Sequence, residues 1–114
     1  MNKDELLKFC EEVGPVFSST PFAKMEKGSP TIVVRHLKNQ KSFAYLSERG
    51  NQLIVAVKQK PELSEELREH FKDLNPAWHM NKTHWNDIRV GGDVSDDLLR
   101  QMILQSYDLI KPKK

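Results

Sequence analysis

Residues 31–58, TIVVRHLKNQKSFAYLSERGNQLIVAVK, constrain the fold most. Three stretches rich in β-branched and aromatic residues are separated by turns of only a few residues. Links that short join antiparallel strands, because a parallel crossover needs a dozen residues or more. KSFAYLS alternates, with Phe43 opposed in parity to Ala44 and Leu46. Gly50-Asn51 supplies the tip of the second turn. LIVAVK is almost continuously apolar, the pattern of a central strand covered on both faces.

The flanks read mainly as helices. Residues 2–13 carry a capping box, Asn2 with Glu5 three positions on, and an apolar face of Leu6, Cys10 and Val13. Gly14-Pro15 ends that helix. Pro61 opens a second one, with Leu63, Leu67, His70 or Phe71, and Leu74 at helical spacing and Asn75-Pro76 as its stop. Residues 77–80 and 85–90 form two short strands joined by Asn81-Lys82-Thr83. Ser95 caps the last helix, with Asp96 and Asp97 near its positive end. Residues 15–30, PVFSSTPFAKMEKGSP, mix turn formers with isolated apolar residues, and a short strand is expected around Phe22–Met25. The sum is an α+β fold, a two-layer sandwich with an antiparallel sheet and helices on one face. The expected order is α-β(3)-α-β(2)-α, in one domain over residues 1–114.

The totals limit the function. The formal net charge is only +2, so binding to an acidic partner has to come from how charge is distributed. Cys10 is the single cysteine. It excludes an intramolecular disulfide and makes a reducing, cytoplasmic setting the default. The opening MNKDELLKFCEE is amphipathic and acidic, unlike a secretory leader. No apolar run approaches the roughly 20 residues of a membrane span.

One stretch, NPAWHMNKTHWNDIRV from Asn75 to Val90, holds both tryptophans, Trp78 and Trp85, and two of the four histidines. Here the chain resembles the MmcQ/YjbR family. Four pieces carry the resemblance: KSFAYL (41–46), VKQKPELSEELRE (57–69), HMNKTHW (79–85), and DVSDDLLRQMILQSYDLI (93–110) with its Ser106-Tyr107 pair. His79, Asn81, Trp85, Ser106 and Tyr107 are the motif positions, read as structural. The resemblance implies a CyaY-like or secretion-chaperone-like sandwich. It also implies the DNA-binding role commonly given to such proteins, through a paired-wing surface. It brings no catalytic residue.

The residues themselves weigh several chemistries. His79 and His84 are five apart, His70 and His36 lie elsewhere, and no cysteine or histidine pair has metal-ligand spacing, so no metal site is expected. Proteins of the frataxin-like fold hold iron on an acidic helical ridge, whereas the acidic residues here are interspersed with lysine and arginine. No nucleophile elbow, phosphate loop or paired-carboxylate motif occurs, so neither an enzyme nor a cofactor is expected. Ser106 reads as a small packing residue bonded to the carbonyl one turn back. Trp85 reads as packed under the last helix, with Asn81 pinning the turn.

Charge is the strongest clue. Arg35, Lys38, Lys41, Lys58, Lys60, Lys82 and Arg89 fall on strands and turns. His36 and His84 add charge below neutral pH. The acidic residues crowd the helices: Asp4, Glu5, Glu11 and Glu12; Glu62, Glu65, Glu66 and Glu69; Asp96, Asp97 and Asp108. The expectation is double-stranded DNA held by a basic sheet face and hairpin wings. The contacts would be Arg35, Lys38, Lys41, Lys58, Lys60, Lys82 and Arg89, with His84 assisting. The same pattern also suits a plain solvated face whose lysines discourage edge pairing. The alternative function is a small-molecule or protein-interaction module built on the aromatic cluster around Trp78 and Trp85, in a monomer or weak homodimer.

Overall fold

The computed structural model describes residues 1–77 and 80–113; Trp78, His79 and Lys114, and the readings placed on them, lie outside the described residues. The elements are α1 (Lys3–Glu12), β1 (Val16–Ser19), β2 (Ile32–His36), β3 (Ser42–Arg49), β4 (Gln52–Lys58), α2 (Pro61–His70), β5 (Leu74–Pro76), β6 (Trp85–Arg89) and α3 (Asp96–Leu109). The six strands form one antiparallel sheet in the order β1-β2-β3-β4-β6-β5. The fold is the expected α+β sandwich, with four strands rather than three before the second helix.

The extra strand lies in the segment that sequence patterning reads least well. VFSS pairs with β2, Val16 opposite His36 and Ser19 opposite Val33. The strand expected at Phe22–Met25 is instead a turn, with the Met25 and Glu26 amides both bonded to the Phe22 carbonyl. Of the strand expected at 77–80, residues 78 and 79 lie outside the described residues; the strand that pairs with β6 is Leu74–Pro76. Proline is tolerated there because β5 is the sheet edge and needs no donor on its open side.

Helix starts follow local chemistry. Asn2 Oδ1 accepts from the Glu5 amide at 2.8 Å, and Glu5 Oε1 accepts from the Asn2 amide at 3.0 Å. Ser95 caps α3 through the Leu98 amide, and Pro61 begins α2.

The helix side of the sheet carries Val34, Ala44, Leu46, Val55, Val57 and Ile88, packed against Leu6 and Cys10 of α1 and Leu99, Met102 and Ile103 of α3. A register shift between Val34 and Arg35 lets Phe43 and Ala44, adjacent in sequence, both be buried. Phe43 meets the Tyr107 ring edge-on, with centroids 5.3 Å apart. His36 forms a triangle with these two rings, buried, its Nε2 2.9 Å from the Tyr107 carbonyl oxygen. It is therefore not part of a solvent-facing basic surface.

Ser106 does more than fill space. Its hydroxyl donates to the Phe43 carbonyl at 2.6 Å and accepts from the Lys58 amide at 2.9 Å, so α3 is fastened to both β3 and β4. This replaces the expected bond within the helix. Ser106→Ala leaves a buried carbonyl and a buried amide without their partner. Urea denaturation should register a loss of about 1–3 kcal/mol; a cost near zero is what a bond confined to the helix would give.

Candidate functional site

The ladders determine where the cations go. Arg35 pairs with Ser42, Ala44 with Val57, and Lys58 with Trp85. The end of β2, the start of β3, the end of β4 and the start of β6 therefore share one end of the sheet. Lys38 and Lys41 lie in the β2–β3 turn, Lys60 just beyond β4, and Lys82 and His84 just before β6. The Gln59 amide donates to the His84 carbonyl at 2.7 Å, which ties two of these segments directly together. Lys38 also shares a recess with Lys111 and Lys113, beyond the end of α3.

Lys38, Lys41, Lys60 and Lys82 are exposed and Lys58 is half-buried. None of the five forms an ion pair among the described residues. Arg35 stands at the same end, its Nη1 donating to the Gln40 carbonyl at 3.1 Å. Acidic groups stand there as well: Asp108, 3.7 Å from the Lys111 ammonium, Glu62, facing solvent in the first turn of α2, and Glu11 and Glu12 in the last turn of α1, which the Leu37–Pro15 backbone bond joins to this end.

The opposite end is different. Arg89 pairs with Ile54 there, and its guanidinium is 3.8 Å from Asp73. Arg49 is 3.0 Å from Asp87. Five unpaired lysines are thus gathered at one end and Arg89 is not brought together with them, while three more exposed lysines without an ion pair among the described residues, Lys24, Lys27 and Lys72, lie in the connections at the other end.

The basic segments are held in shape. In the β2–β3 turn, Asn39 accepts from the Lys41 amide and donates through Nδ2 to the Ile110 carbonyl, anchoring the turn to the end of α3. In the turn before β6, Asn81 Oδ1 accepts from the Thr83 amide at 2.9 Å, and the Asn81 carbonyl accepts from the His84 and Trp85 amides. Arg68 of α2 braces this turn by donating through Nη2 to the Lys82 carbonyl. Its Nε donates at 2.8 Å to Asn86 Oδ1, and Asn86 Nδ2 donates to Gln59 Oε1 at 2.7 Å and Ser64 Oγ at 2.9 Å.

Sequence reading missed this network and Asn39. Asn86 did leave a signal: it is a polar residue with the same strand parity as the inward Ile88.

Trp85 departs from its expected place under the last helix. It shares the outer face with Lys58, Ala56 and Asp87, and its ring meets Tyr45 edge-on with centroids 5.4 Å apart. Together with Ala56 and Ala77 they form the floor of a cleft of about 840 Å³. Phe22 and Met25 border it on one side and Met80 and Asn81 on the other. Its polar groups include the Arg49–Asp87 pair and Glu26. The Thr31 hydroxyl and amide both donate to Glu26 and hold its carboxyl below the usual range.

Among the described residues no group of three or more histidine, cysteine or acidic side chains is placed to hold a metal. Burial, reinforced by Glu11, pushes the Cys10 thiol up to about 12, which leaves it protonated and a poor nucleophile at neutral pH. No described helix is long and apolar enough to cross a membrane.

A family model described as YjbR matches residues 15–109, including the 15–30 segment that carries none of the recognised motifs. The chain is 35% identical over 65 residues to the uncharacterized protein YjbR of Escherichia coli (strain K12), a match covering 57% of this chain and 55% of that protein. It thus spans about half the length of that relative. The uncharacterized protein YyaQ of Bacillus subtilis (strain 168) is 25% identical over 97% of this chain and 99% of its own length. A Pseudomonas syringae crystal structure superposes with a TM-score of 0.81 at 26% identity, covering 96% of this chain and 98% of that one. A Deinococcus radiodurans protein with a DUF419 domain gives 0.80 at 28% identity, covering 96% of this chain and 78% of that one.

Because Asn86 satisfies three partners at once, Asn86→Ala leaves Gln59, Ser64 and Arg68 short of a bond. A loss of about 2–4 kcal/mol in chemical denaturation is expected. The amide resonances of residues 81–84 should broaden or shift as Arg68 loses its second anchor; unchanged resonances would show that the turn holds itself.

Proposed function

The chain belongs to the YjbR family, and from that premise and the placement of its lysines we propose that it is a cytoplasmic DNA-binding protein. The basic end of the sheet holds duplex phosphates with little regard to sequence. One observation carries this reading: antiparallel register gathers Lys38, Lys41, Lys58, Lys60 and Lys82 from three chain segments onto one end, without ion-pair partners among the described residues. Cations already neutralised by carboxylates release few DNA counterions, whereas free ones release their full share. A mildly basic chain thereby acquires a local binding field that its net charge conceals. Arg35 and His84 assist at the same end. The 37–41 and 81–84 turns act as the two wings, and no chemical step is involved.

A second reading is favoured by the outer-face cleft. Its volume lies within the range of small-molecule sites, and its aromatic floor with a few fixed polar groups is their usual composition. A ligand there would sit on Trp85 and Tyr45 and quench tryptophan emission without any dependence on the lysines.

The two readings separate in one experiment. Anisotropy of a labelled duplex of about 20 base pairs should show binding at about 50 mM salt. With four or five phosphates engaged, affinity should fall by roughly two orders of magnitude by about 200 mM. Lys58→Glu combined with Lys82→Glu should weaken every duplex sequence alike, by at least about tenfold. Arg89→Glu, at the other end and already beside Asp73, should change affinity by less than about threefold. Equal effects of the two variants, or no binding by the folded protein at low salt, would overturn the DNA reading and leave the cleft as the functional surface.

A further inference from the structure

The 20–31 loop walls one side of the outer-face cleft, and its folding fixes a charge there. The Met25 and Glu26 amides both bond to the Phe22 carbonyl, and the chain then turns back toward β2. On its return Thr31 donates to both oxygens of Glu26, its amide to Oε1 at 2.8 Å and its hydroxyl to Oε2. Bonds of this kind favour the charged form of a carboxyl, which is why Glu26 titrates below its ordinary range. The loop therefore sets an oriented negative charge, still open to solvent, on the wall of a cleft of about 840 Å³.

That charge has no cation of its own. The charged groups lining the cleft are Glu26, Glu48, Asp87 and Arg49, three carboxylates against one guanidinium. Asp87 is 3.0 Å from Arg49, and Glu48 is 3.1 Å from Lys3 of α1. Glu26 forms no ion pair among the described residues, and the lysines of its own loop, Lys24 and Lys27, are exposed and do not line the cleft. The floor beneath is the Trp85–Tyr45 pair, both half-buried. Aromatic faces attract cations. Phe22 and Met25, at the mouth, keep 39% and 78% of their surface in water, so the loop also offers apolar surface that the core does not use. An anion entering here would meet Glu26 with repulsion, and a neutral ligand would leave that carboxylate without a partner.

We infer that the outer-face cleft takes a small organic cation, an ammonium group on an aromatic or branched apolar body, with the ammonium beside Glu26 and the body on Trp85 and Tyr45. This assignment rests on the second reading above, in which the cleft is a ligand site, and involves none of the lysines at the basic end.

The test uses three ligands of one shape, each titrated into the whole ¹⁵N-labelled chain: 2-phenylethylammonium, the neutral 2-phenylethanol and the anionic 3-phenylpropanoate. The Thr31 amide, bonded to Glu26, and the Trp85 indole N–H report on the two parts of the site. The ammonium should give saturating shifts of both signals and bind at least about tenfold tighter than the alcohol. Glu26→Gln removes the charge but keeps an oxygen for the Thr31 amide. It should weaken the ammonium about tenfold and leave the alcohol unchanged. The ammonium's advantage should also shrink as salt rises from about 50 to about 500 mM, with no change in the alcohol. That check needs no substitution: if Glu26→Gln weakens the alcohol too, the loop has moved, and the salt dependence of the unsubstituted chain decides. Equal affinity for ammonium and alcohol, tightest binding of the carboxylate, or an ammonium preference that survives both Glu26→Gln and high salt overturns the cation assignment and leaves the cleft to another ligand chemistry. Failure of all three ligands to shift either signal by about 10 mM overturns the assignment and the cleft reading together.

Discussion

β4 bonds to β3 on one side and β6 on the other, and the register of those two ladders decides what the molecule can present. Lys58 stands opposite Trp85, and Val57 stands opposite both Ala44 and Asn86. In an antiparallel sheet, alternate chain reversals fall at the same end. The register therefore collects the 37–41 turn, the exit of β4 and the 81–84 turn at one end, with their lysines. A slip of one residue in the β4–β6 ladder would exchange the faces of Trp85 and Asn86. It would put the indole into the helix layer and the amide network into solvent.

Much of this fold was legible in the sequence, and the misses have separate causes. LIVAVK is central as read, because covering both sheet faces requires apolar residues at both parities: Val55 and Val57 face the helices while Ala56 is buried on the other side. VFSS went unread because a four-residue edge strand, with two serines and only partial burial, has neither the alternation nor the burial that leaves a pattern. Asn75-Pro76 has the composition of a helix stop, and proline at an open sheet edge is equally allowed.

The candidate site was less legible, and the difference lies in what local patterns can encode. Parity in WNDIR already placed Trp85 outward once Ile88 was taken as inward. The expectation that a small domain buries its tryptophans overrode that pattern. Parity alone would also have flagged Asn86 as a buried polar residue requiring partners. The gathering of Lys38, Lys41, Lys58, Lys60 and Lys82 at one end is a matter of pairing between distant segments. His36, counted among the charges, turned inward because β2 alternates and its even positions face α3. Arg89 looks free in the sequence because its partner, Asp73, comes from a different segment and meets it only through the β5–β6 pairing. Gln59 gave no local sign at all, since its place in the network exists only after Arg68 and Asn86 have fixed each other's orientation.

That dependence says something about how the basic end would work. Arg68 reaches from α2 to the Lys82 carbonyl with one nitrogen and to Asn86 with another. Asn86 in turn holds Gln59 and Ser64. The 81–84 turn is thus fastened from beneath by a buried chain of hydrogen bonds, and the 37–41 turn is fastened to α3 by Asn39. Their backbones are ordered during folding, so less ordering remains to oppose binding. The lysine side chains beyond them are mostly exposed, which would suit the proposed contact with regularly spaced phosphates, indifferent to the bases between them. A scaffold of this kind separates two requirements: the network beneath the turns sets where the charges stand, while the charges themselves can vary in number without disturbing the fold.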